Sequence, residues 1–286
     1  MAMSFGGISK SKVATIIVAI DGTGDTIDIQ TGINLLSAAG GVVYIKEGTY
    51  SVSDLKIIGD NISLFGAGPA TIILDTTSTF QVLTITGDNV TVKDISFLGL
   101  GAANSVIAIL SGNNDNIIIE NCLFDNFGES VIFIGGTSNN IILSNNRIID
   151  CDEQGILVSV GIGTLSNILV SNNIIENIGK TGIQVAATGA TGITEKIILA
   201  NNIIVNADSE NSNTYSGIYF TSAAGGDVHN CTIIGNSVSD CDDWGINIDS
   251  ADVVNTLITG NNVFDNTSGG INNGGTGTEI GHNITA

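Results

Sequence analysis

The sequence predicts an all-β fold, a parallel β-helix (solenoid) with a short N-terminal capping helix. One recurring motif carries this prediction: a short apolar stretch, an Asn, two more apolar residues and a polar turn containing Gly. A repeat of this length is typical of solenoids, because one unit cannot bury its apolar face without its neighbours. The motif Asn recurs at intervals of 21 to 34 residues, at Asn121, Asn146, Asn173, Asn202, Asn236, Asn262 and Asn283.

Each repeat unit contains short stretches of alternating apolar residues. In one unit Ile156 and Val158 are apolar residues two positions apart, and so are Ile168 and Val170. Alternation at period two predicts strands, and branched aliphatic residues suit a pleated, half-buried surface. Three such strands joined by turns rich in Gly, Asn and Ser form one coil of a parallel β-helix. Stacked turn Asn residues are expected to bond to each other between coils, as in other stacked parallel strands.

Composition agrees with a narrow tube filled by aliphatic side chains. Hydrophobic residues make up 43% of the chain but aromatic residues only 5%, and the chain has one Pro. Pro removes a ladder hydrogen bond, so a chain paired above and below has little room for it. Mean hydropathy is +0.37, yet no apolar run approaches the ~18 residues that span a bilayer. The sequence therefore predicts no membrane span.

The N-terminal segment departs from the repeat. The apolar stretch Val13–Ile20 predicts a strand, and the turn DGTGD follows it. A helix is predicted next, capped by Asp25 or Thr26 and ending at Gly40–Gly41, where it would cover the open end of the solenoid. Its apolar stripe consists of Ile27, Leu35 and Leu36.

These boundaries give a single domain. Residues 1–286 form one β-helix domain, in which 1–41 are the N-terminal cap and first strand. Residues 42–286 hold about ten coils at this repeat length.

The segments DGTGDT and AAGGVVYIKEGTYSVS resemble the start of pectate-lyase-superfamily β-helices. The later coils are similar to the generic repeats of this pectin-lyase-like superfamily. The resemblance covers nearly the whole chain and implies a right-handed helix, which agrees with the general preference of parallel crossovers. The superfamily includes polysaccharide lyases, polygalacturonases, epimerases and phage tailspikes. The resemblance thus implies association with carbohydrate and a location outside the cell or on a virion surface.

Charge restricts the partners. The formal net charge is −20 and the sequence pI about 4.1. Nucleic acid is not expected as a partner, because binding it needs basic stripes. An anionic polysaccharide would be repelled unless cations intervene, whereas a neutral glycan would not.

The four cysteines are predicted to be buried free thiols. Cys151 and Cys241 fall in equivalent turns three coils apart. At the inter-strand spacing this is ~14 Å, too far for a disulfide, which needs Cα atoms within ~7 Å.

The first strand of each coil offers a candidate binding strip. None of its predicted outward residues is charged, and the two apolar ones, Ile132 and Leu157, indicate a partner surface or a covering loop. The six outward positions are predicted to be Ile132, Leu157, Gln184, Tyr219, Asn247 and Asn272.

The turns before this strip carry acids and aromatic residues. An aromatic ring beside carboxylates and amides can hold a sugar: the ring packs on the sugar face and the polar groups bind hydroxyls. The predicted ligand-binding residues are Trp244, Tyr215, Tyr219, Gln184 and Asn247. Ca²⁺ needs six to eight oxygen ligands, and its candidate ligands are Asp152, Glu153, Asp242 and Asp243.

Three functions compete. A Ca²⁺-dependent polysaccharide lyase would need a base, and the resemblance implies that this base is Arg or Lys. Lys180 is the candidate, because Arg147 lies in a turn on another edge of the coil. A hydrolase would use two carboxylates, but of the polygalacturonase motifs only Asp242–Asp243 is present. The epimerase pattern Tyr-Gly…Asp-Pro-His is absent.

The third function is a non-catalytic, carbohydrate-associated or structural rod that self-assembles. The missing motifs and the uncharged strip favour it, with the lyase as the alternative and Ca²⁺ as its cofactor. Self-association is also expected because the final segment TEIGHNITA stops in mid-coil and leaves strand edges open.

Overall fold

The computed structural model describes residues 14–36, 38–76, 81–101, 107–109, 113–210, 212, 214–223 and 225–285, with backbone alone at 107–109 and 113. Within these residues each strand pairs in parallel with the strands one coil before and after it. The prediction of an all-β parallel solenoid is confirmed. The one described helix has six residues, so no helix in these ranges could cross a membrane.

The described elements follow one another in a regular order. The N-terminal part consists of β1 (Ala14–Val18), α1 (Ile29–Asn34), β2 (Gly41–Ile45), β3 (Gly48–Val52), β4 (Leu55–Ile57), β5 (Ile62–Gly66), β6 (Thr71–Asp75), β7 (Leu83–Ile85), β8 (Thr91–Lys93), β9 (Ser96–Leu98), β10 (Ile107–Ile109), β11 (Asn113–Glu120) and β12 (Leu123–Phe127). The central part consists of β13 (Ile132–Ile134), β14 (Thr137–Ser144), β15 (Arg147–Cys151), β16 (Ile156–Ser171), β17 (Ile174–Ile178), β18 (Ile183–Ala200) and β19 (Ile203–Ala207). The C-terminal part consists of β20 (Ile218–Ser222), β21 (Asp227–His229), β22 (Thr232–Ile234), β23 (Ser237–Ser239), β24 (Trp244–Ile248), β25 (Val253–Val254), β26 (Leu257–Thr259), β27 (Asn262–Phe264), β28 (Gly269–Asn273), β29 (Glu279–Gly281) and β30 (Ile284–Thr285).

The strands form three faces. Face A stacks β4, β7, β10, β13, the first halves of β16 and β18, β20, β24 and β28. Face B stacks β1, β2, β5, β8, β11, β14, the second halves of β16 and β18, β22, β26 and β29. Because β16 and β18 continue from one face to the other, faces A and B join into one 20-stranded sheet. Face C is a separate sheet of ten strands, from β3 to β30.

The core is a tube of stacked aliphatic side chains. Ile132, Ile156, Ile183 and Ile218 follow one another in register on face A, and each is fully buried. The prediction that Ile132 points outward is therefore wrong; the outward residue of β13 is Phe133. Since side chains alternate along a strand, a shift of one residue exchanges the two faces.

The bend from face B to face C contains an Asn ladder of buried side chains. Each ladder Asn after Asn146 accepts two hydrogen bonds, from the backbone N–H and the side-chain amide of the preceding member, at 2.9–3.0 Å. Asn146 accepts one, from the N–H of Cys122 at 3.0 Å. The prediction that turn Asn residues bond to each other between coils is confirmed. Two predicted positions were wrong by one residue: the ladder position is occupied by Asn261, not Asn262, and by Cys122, not Asn121. The ladder consists of Asn146, Asn173, Asn202, Asn236, Asn261 and Asn283.

The residue before each ladder position adopts the left-handed backbone. Asn121, Asn145 and Asn172 have φ of 54°, 56° and 57°. Gly235 and Gly260 take the same place in later coils, each with φ of 68°. The bend thus needs two residues with different tasks, one that tolerates positive φ and one that bonds between coils.

The capping helix differs in phase from its prediction. Asp28, not Asp25 or Thr26, is the N-cap, and its carboxylate accepts a hydrogen bond from the N–H of Thr31 at 2.7 Å. Ile29 and Ile33 are buried. The predicted stripe residues Ile27 and Leu35 are more than half exposed, while Leu36 packs against the core.

The helix covers the first edge of face A as expected. Gln30 acts there as a strand would: its Oε1 accepts from Lys56 N at 2.7 Å and its Nε2 donates to Lys56 O at 3.1 Å. These two bonds occupy part of the otherwise unpaired edge of β4.

Candidate functional site

Face A carries a continuous row of uncharged outward side chains, here named the outward column. Its members are adjacent in register, so each lies ~4.8 Å from the next and the row extends over roughly 24 Å. No Asp, Glu, Lys or Arg interrupts it. The outward column consists of Phe133, Leu157, Gln184, Tyr219, Asn247 and Asn272.

Hydrogen bonds fix the second half of the outward column. The hydroxyl of Tyr219 donates to Asp249 Oδ2 at 2.7 Å. Burial, and then the bond to Asp249, raise the pKa of Tyr219, so its hydroxyl keeps its proton at neutral pH. Asn272 Nδ2 donates to Asn247 Oδ1 at 2.9 Å. The column therefore presents one oriented phenol ring and the amide of Asn272, which is held by Asn247, itself only 8% exposed.

Lys180 lies in the turn before face A, where it forms an ion pair with Glu153 of the preceding coil. Its Nζ also lies 5.6 Å from the centre of the Tyr215 ring. The hydrogen bond that Lys180 donates to the Glu153 carboxylate is the main cause that raises the pKa of Lys180. A base active near neutral pH needs a lowered lysine pKa, so this environment opposes the predicted role of Lys180 as a catalytic base.

The longest turn insertion is organised by one buried carboxylate. Asp208 is fully buried. Its Oδ2 accepts from the N–H groups of Thr214 and Tyr215 at 2.9 and 3.2 Å, and its Oδ1 accepts from the hydroxyl of Ser212 at 2.7 Å. Bonds to a charged acceptor are among the strong ones. Asp208 thus holds the loop in the shape that brings Tyr215 against Lys180.

The four predicted calcium ligands form two separate pairs. Asp152 and Glu153 follow β15, whereas Asp242 and Asp243 lie three coils further along, at ~14 Å by the strand spacing. Glu153 is bound to Lys180, and Asp243 accepts a hydrogen bond from Ser216 at 2.9 Å. No group of three or more His, Cys, Asp or Glu suited to a metal ion occurs in the described parts of the chain. These four acids therefore do not lie together in one group, and their assignment as Ca²⁺ ligands stays a prediction.

Trp244 begins β24 and packs on the next coil. A Cβ added to Gly269 would lie 2.7 Å from the Trp244 ring, so Gly is the residue that lets the indole lie flat there. Trp244 remains partly exposed. All five predicted ligand-binding residues consequently lie on or beside face A in three successive coils, from β18 to β24.

Sequence reasoning missed two residues of this surface. Phe133 was overlooked because Val131 to Ile134 are all apolar and show no alternation. Asp249 was overlooked because its contact with Tyr219 joins residues 30 positions apart. A search for acids one repeat away from each aromatic residue would have identified Asp249.

Comparison with known proteins gives matches to this architecture. The family described as "Right handed beta helix region" matches residues 40–204. Pectinesterase 2 of Citrus sinensis is 30% identical over 132 residues, which are 41% of this chain and 26% of that protein. The chain therefore spans about a quarter of this relative.

Solved structures of two viral proteins are similar in fold. The enzymatically active domain of tailspike protein 2 of bacteriophage CBA120 superposes with a TM-score of 0.73 at 16% identity, over 89% of this chain and 39% of that one. A protein of Geobacillus virus E2 superposes with a TM-score of 0.61 at 17% identity, over 94% of this chain and 60% of that one.

Proposed function

Since this chain belongs to the right-handed, pectin-lyase-like β-helix family, we propose that it is a non-catalytic rod that binds a neutral glycan along the outward column of face A. The observation that carries the proposal is the row of uncharged aromatic, aliphatic and amide side chains. The similarity to a pectinesterase supports carbohydrate as the ligand class. No individual enzyme activity is transferred from that protein, of which the chain covers 26%.

The chemistry of the row suits sugars. The ring of Tyr219 and the side chain of Leu157 can pack on the apolar face of a pyranose, while Gln184 and Asn272 bond to hydroxyl groups. Asn247 is only 8% exposed and acts by holding Asn272. Because Tyr219 is held by Asp249 and Asn272 by Asn247, little side-chain freedom is lost on binding. The repeating geometry matches a polymer better than a single small ligand.

The surrounding charges favour a neutral polymer. Glu129 and Glu153 lie on one side of the column and Asp249 on the other, in a chain of net charge −20. Lys180, in the turn before the column, is already paired with Glu153. An anionic polymer would meet repulsion that a neutral glycan avoids.

Titration calorimetry with defined polymers tests the proposal. The neutral probes are dextran, xyloglucan and galactomannan, and the acidic probes are polygalacturonate and alginate, each with Ca²⁺ and with EDTA. We expect a neutral polymer to bind and Tyr219→Ala to weaken binding at least tenfold. Asn262→Ala, an outward Asn on face C, is the matched control and should bind normally.

Two results would contradict the proposal. Binding that is unchanged in Tyr219→Ala and Gln184→Ala would remove the outward column as the site. An unsaturated, ultraviolet-absorbing product from an acidic polymer, lost in Lys180→Ala, would establish the lyase instead.

A further inference from the structure

Face B carries an unexpected row of outward aliphatic side chains. Ile118, Ile142, Leu169 and Ile198 follow one another in register over four coils, and Leu257 continues the row after Thr232. The side chains between them point into the core, as the alternation of a strand requires. A row this apolar on the outside of a strand is unusual for a surface that stays in water.

The row continues around the bend onto face C. Ile174 and Ile203 are adjacent outward residues of β17 and β19 on face C. Ile234 ends β22 on the face B side of the bend, in register with Ala200. Six large aliphatic residues in this region are thus 36–45% exposed. We name them the apolar stripe: Ile142, Ile174, Ile198, Ile203, Ile234 and Leu257.

The size of the stripe indicates an interface. Six such side chains expose several hundred Å² in two neighbouring areas on either side of the bend, which is the order of the largest apolar patch of a typical monomer. A standard interface buries ~800 Å² per partner, of which rather more than half is apolar. The stripe with its polar margins therefore has the extent that a stable dimer needs.

Asn residues outnumber charged residues along the face B margin of the stripe, while Glu279 lies in register with Leu257 and the Arg147–Glu176 ion pair adjoins Ile174. Exposed Asn residues form one margin, such as Asn140, Asn167 and Asn255, with Lys196 among them. The bend residues between the two halves of the stripe are Asn172, Asn201 and their equivalents. Away from the stripe the rod carries more carboxylates: Glu129, Glu153 and Asp249 border face A, and Asp125, Asp150 and Asp240 border face C.

This distribution selects the occupant. Two copies with a net charge of −20 each repel one another through every margin rich in carboxylates. Contact centred on Ile142, Leu169 and Ile198 of face B buries mostly aliphatic groups and amides instead. A row spaced at the strand repeat of ~4.8 Å also fits best against another row of the same repeat, and aligned sheets of this kind interdigitate at ~10 Å separation.

We propose that the apolar stripe is the contact between two copies of this chain lying side by side. The proposal does not depend on glycan binding, which occurs on face A. It replaces the Ile132 and Leu157 surface as the self-association face, since Ile132 lies in the core.

Light scattering over a wide concentration range tests the contact. The wild-type chain should show a mass of two or more copies of 29.3 kDa, and added NaCl should not dissociate it, because salt screens charges and not apolar contacts. Ile198→Lys and Ile203→Lys should each shift it to the monomer. Ile162→Lys is the matched control: Ile162 is 80% exposed outside the stripe, and this variant should keep the wild-type mass.

Circular dichroism and thermal unfolding identify folded variants. If Ile198→Lys fails to fold, Ile198→Ser and Leu257→Ser replace it. A wild-type monomer at ~100 μM would overturn the proposal, since standard interfaces of this size associate well below that concentration. A folded Ile198→Lys that retains the wild-type mass would overturn it equally.

Discussion

Replacing Asn261 by Ala should destabilise the protein strongly, whereas the same change at its neighbour Asn262 should not. Asn261 is 1% exposed and belongs to the Asn ladder. Its Oδ1 accepts from the N–H and the amide of Asn236 at 2.9 and 3.0 Å, and its Nδ2 donates to Ile233 O and to Asn283 Oδ1, both at 2.9 Å. Asn262 is an exposed residue of β27.

The expected magnitude follows from these bonds. Asn261→Ala leaves the buried N–H of Asn236 without its partner, which costs about 1–3 kcal/mol. Loss of the bonds to Ile233 O and within the amide pair adds about 0.5–1.5 kcal/mol each. The free energy of unfolding should therefore fall by about 2–6 kcal/mol. Asn262→Ala removes an exposed side chain and should change it by about 0.5 kcal/mol or less.

Guanidinium unfolding followed by tryptophan fluorescence measures both variants. Trp244 is the one Trp of the chain and lies in the same coil as Asn261, so its emission reports the affected region directly. Circular dichroism followed in parallel tests whether the solenoid unfolds as a unit, which a free-energy comparison requires. Equal losses for Asn261→Ala and Asn262→Ala would refute the assignment of the ladder.

Three further predictions concern packing, charge and thiols. A Cβ on Gly217 would lie 2.3 Å from Val238 Cγ1, so Gly217→Ala should lower the free energy of unfolding by about 1–3 kcal/mol. Gly161→Ala is the control, because a Cβ there has its nearest neighbour at 4.0 Å, and it should leave the free energy of unfolding unchanged. Equal effects of the two changes would contradict this packing. Hydrogen bonds from Lys196 and then His229 lower the pKa of Glu195. The destabilisation by Glu195→Gln should therefore be present at pH 7 and shrink as the pH falls below the ordinary glutamate pKa of 4.5. A stability difference between Glu195→Gln and the wild type that does not change with pH would argue against the ion pair. Burial raises the pKa of every cysteine thiol to about 12. Ellman's reagent should therefore label no thiol in the native protein and all four in denaturant. Rapid labelling of the native protein would show instead that the thiols are accessible. The four thiols are those of Cys122, Cys151, Cys231 and Cys241.

The repeat made the class of fold readable from the sequence. Alternating Ile and Val residues, a regular return of Asn, and very few aromatic residues or prolines all favour the same stacked architecture. The free, buried cysteines were also predictable, because equivalent turns in separate coils are too far apart for a disulfide. These features are local or periodic, so they can be predicted from the sequence without knowledge of three-dimensional contacts.

Register was not readable where the local pattern is ambiguous. Val131, Ile132, Phe133 and Ile134 are all apolar, and only the pairing of Ile132 with Ile156 shows which side chain enters the core. The six residues of α1 make fewer than two turns, too few for their apolar period to fix the phase.

The Asn pairs show the same limit. In three coils the second Asn of a pair joins the ladder, but Gly260 occupies the left-handed position before Asn261, so there the first Asn does.

The sequence alone determined that the chain stacks into a solenoid and that it carries a large negative charge. Tertiary structure decided which side chains meet. Lys180 and Glu153 are 27 residues apart, and Tyr219 and Asp249 are 30 apart. Their contacts depend on the length of each coil, and so does the alignment of Ile142, Leu169 and Ile198 into one exposed row. Each coil differs in length, so only the folded stack sets which residue lies above which.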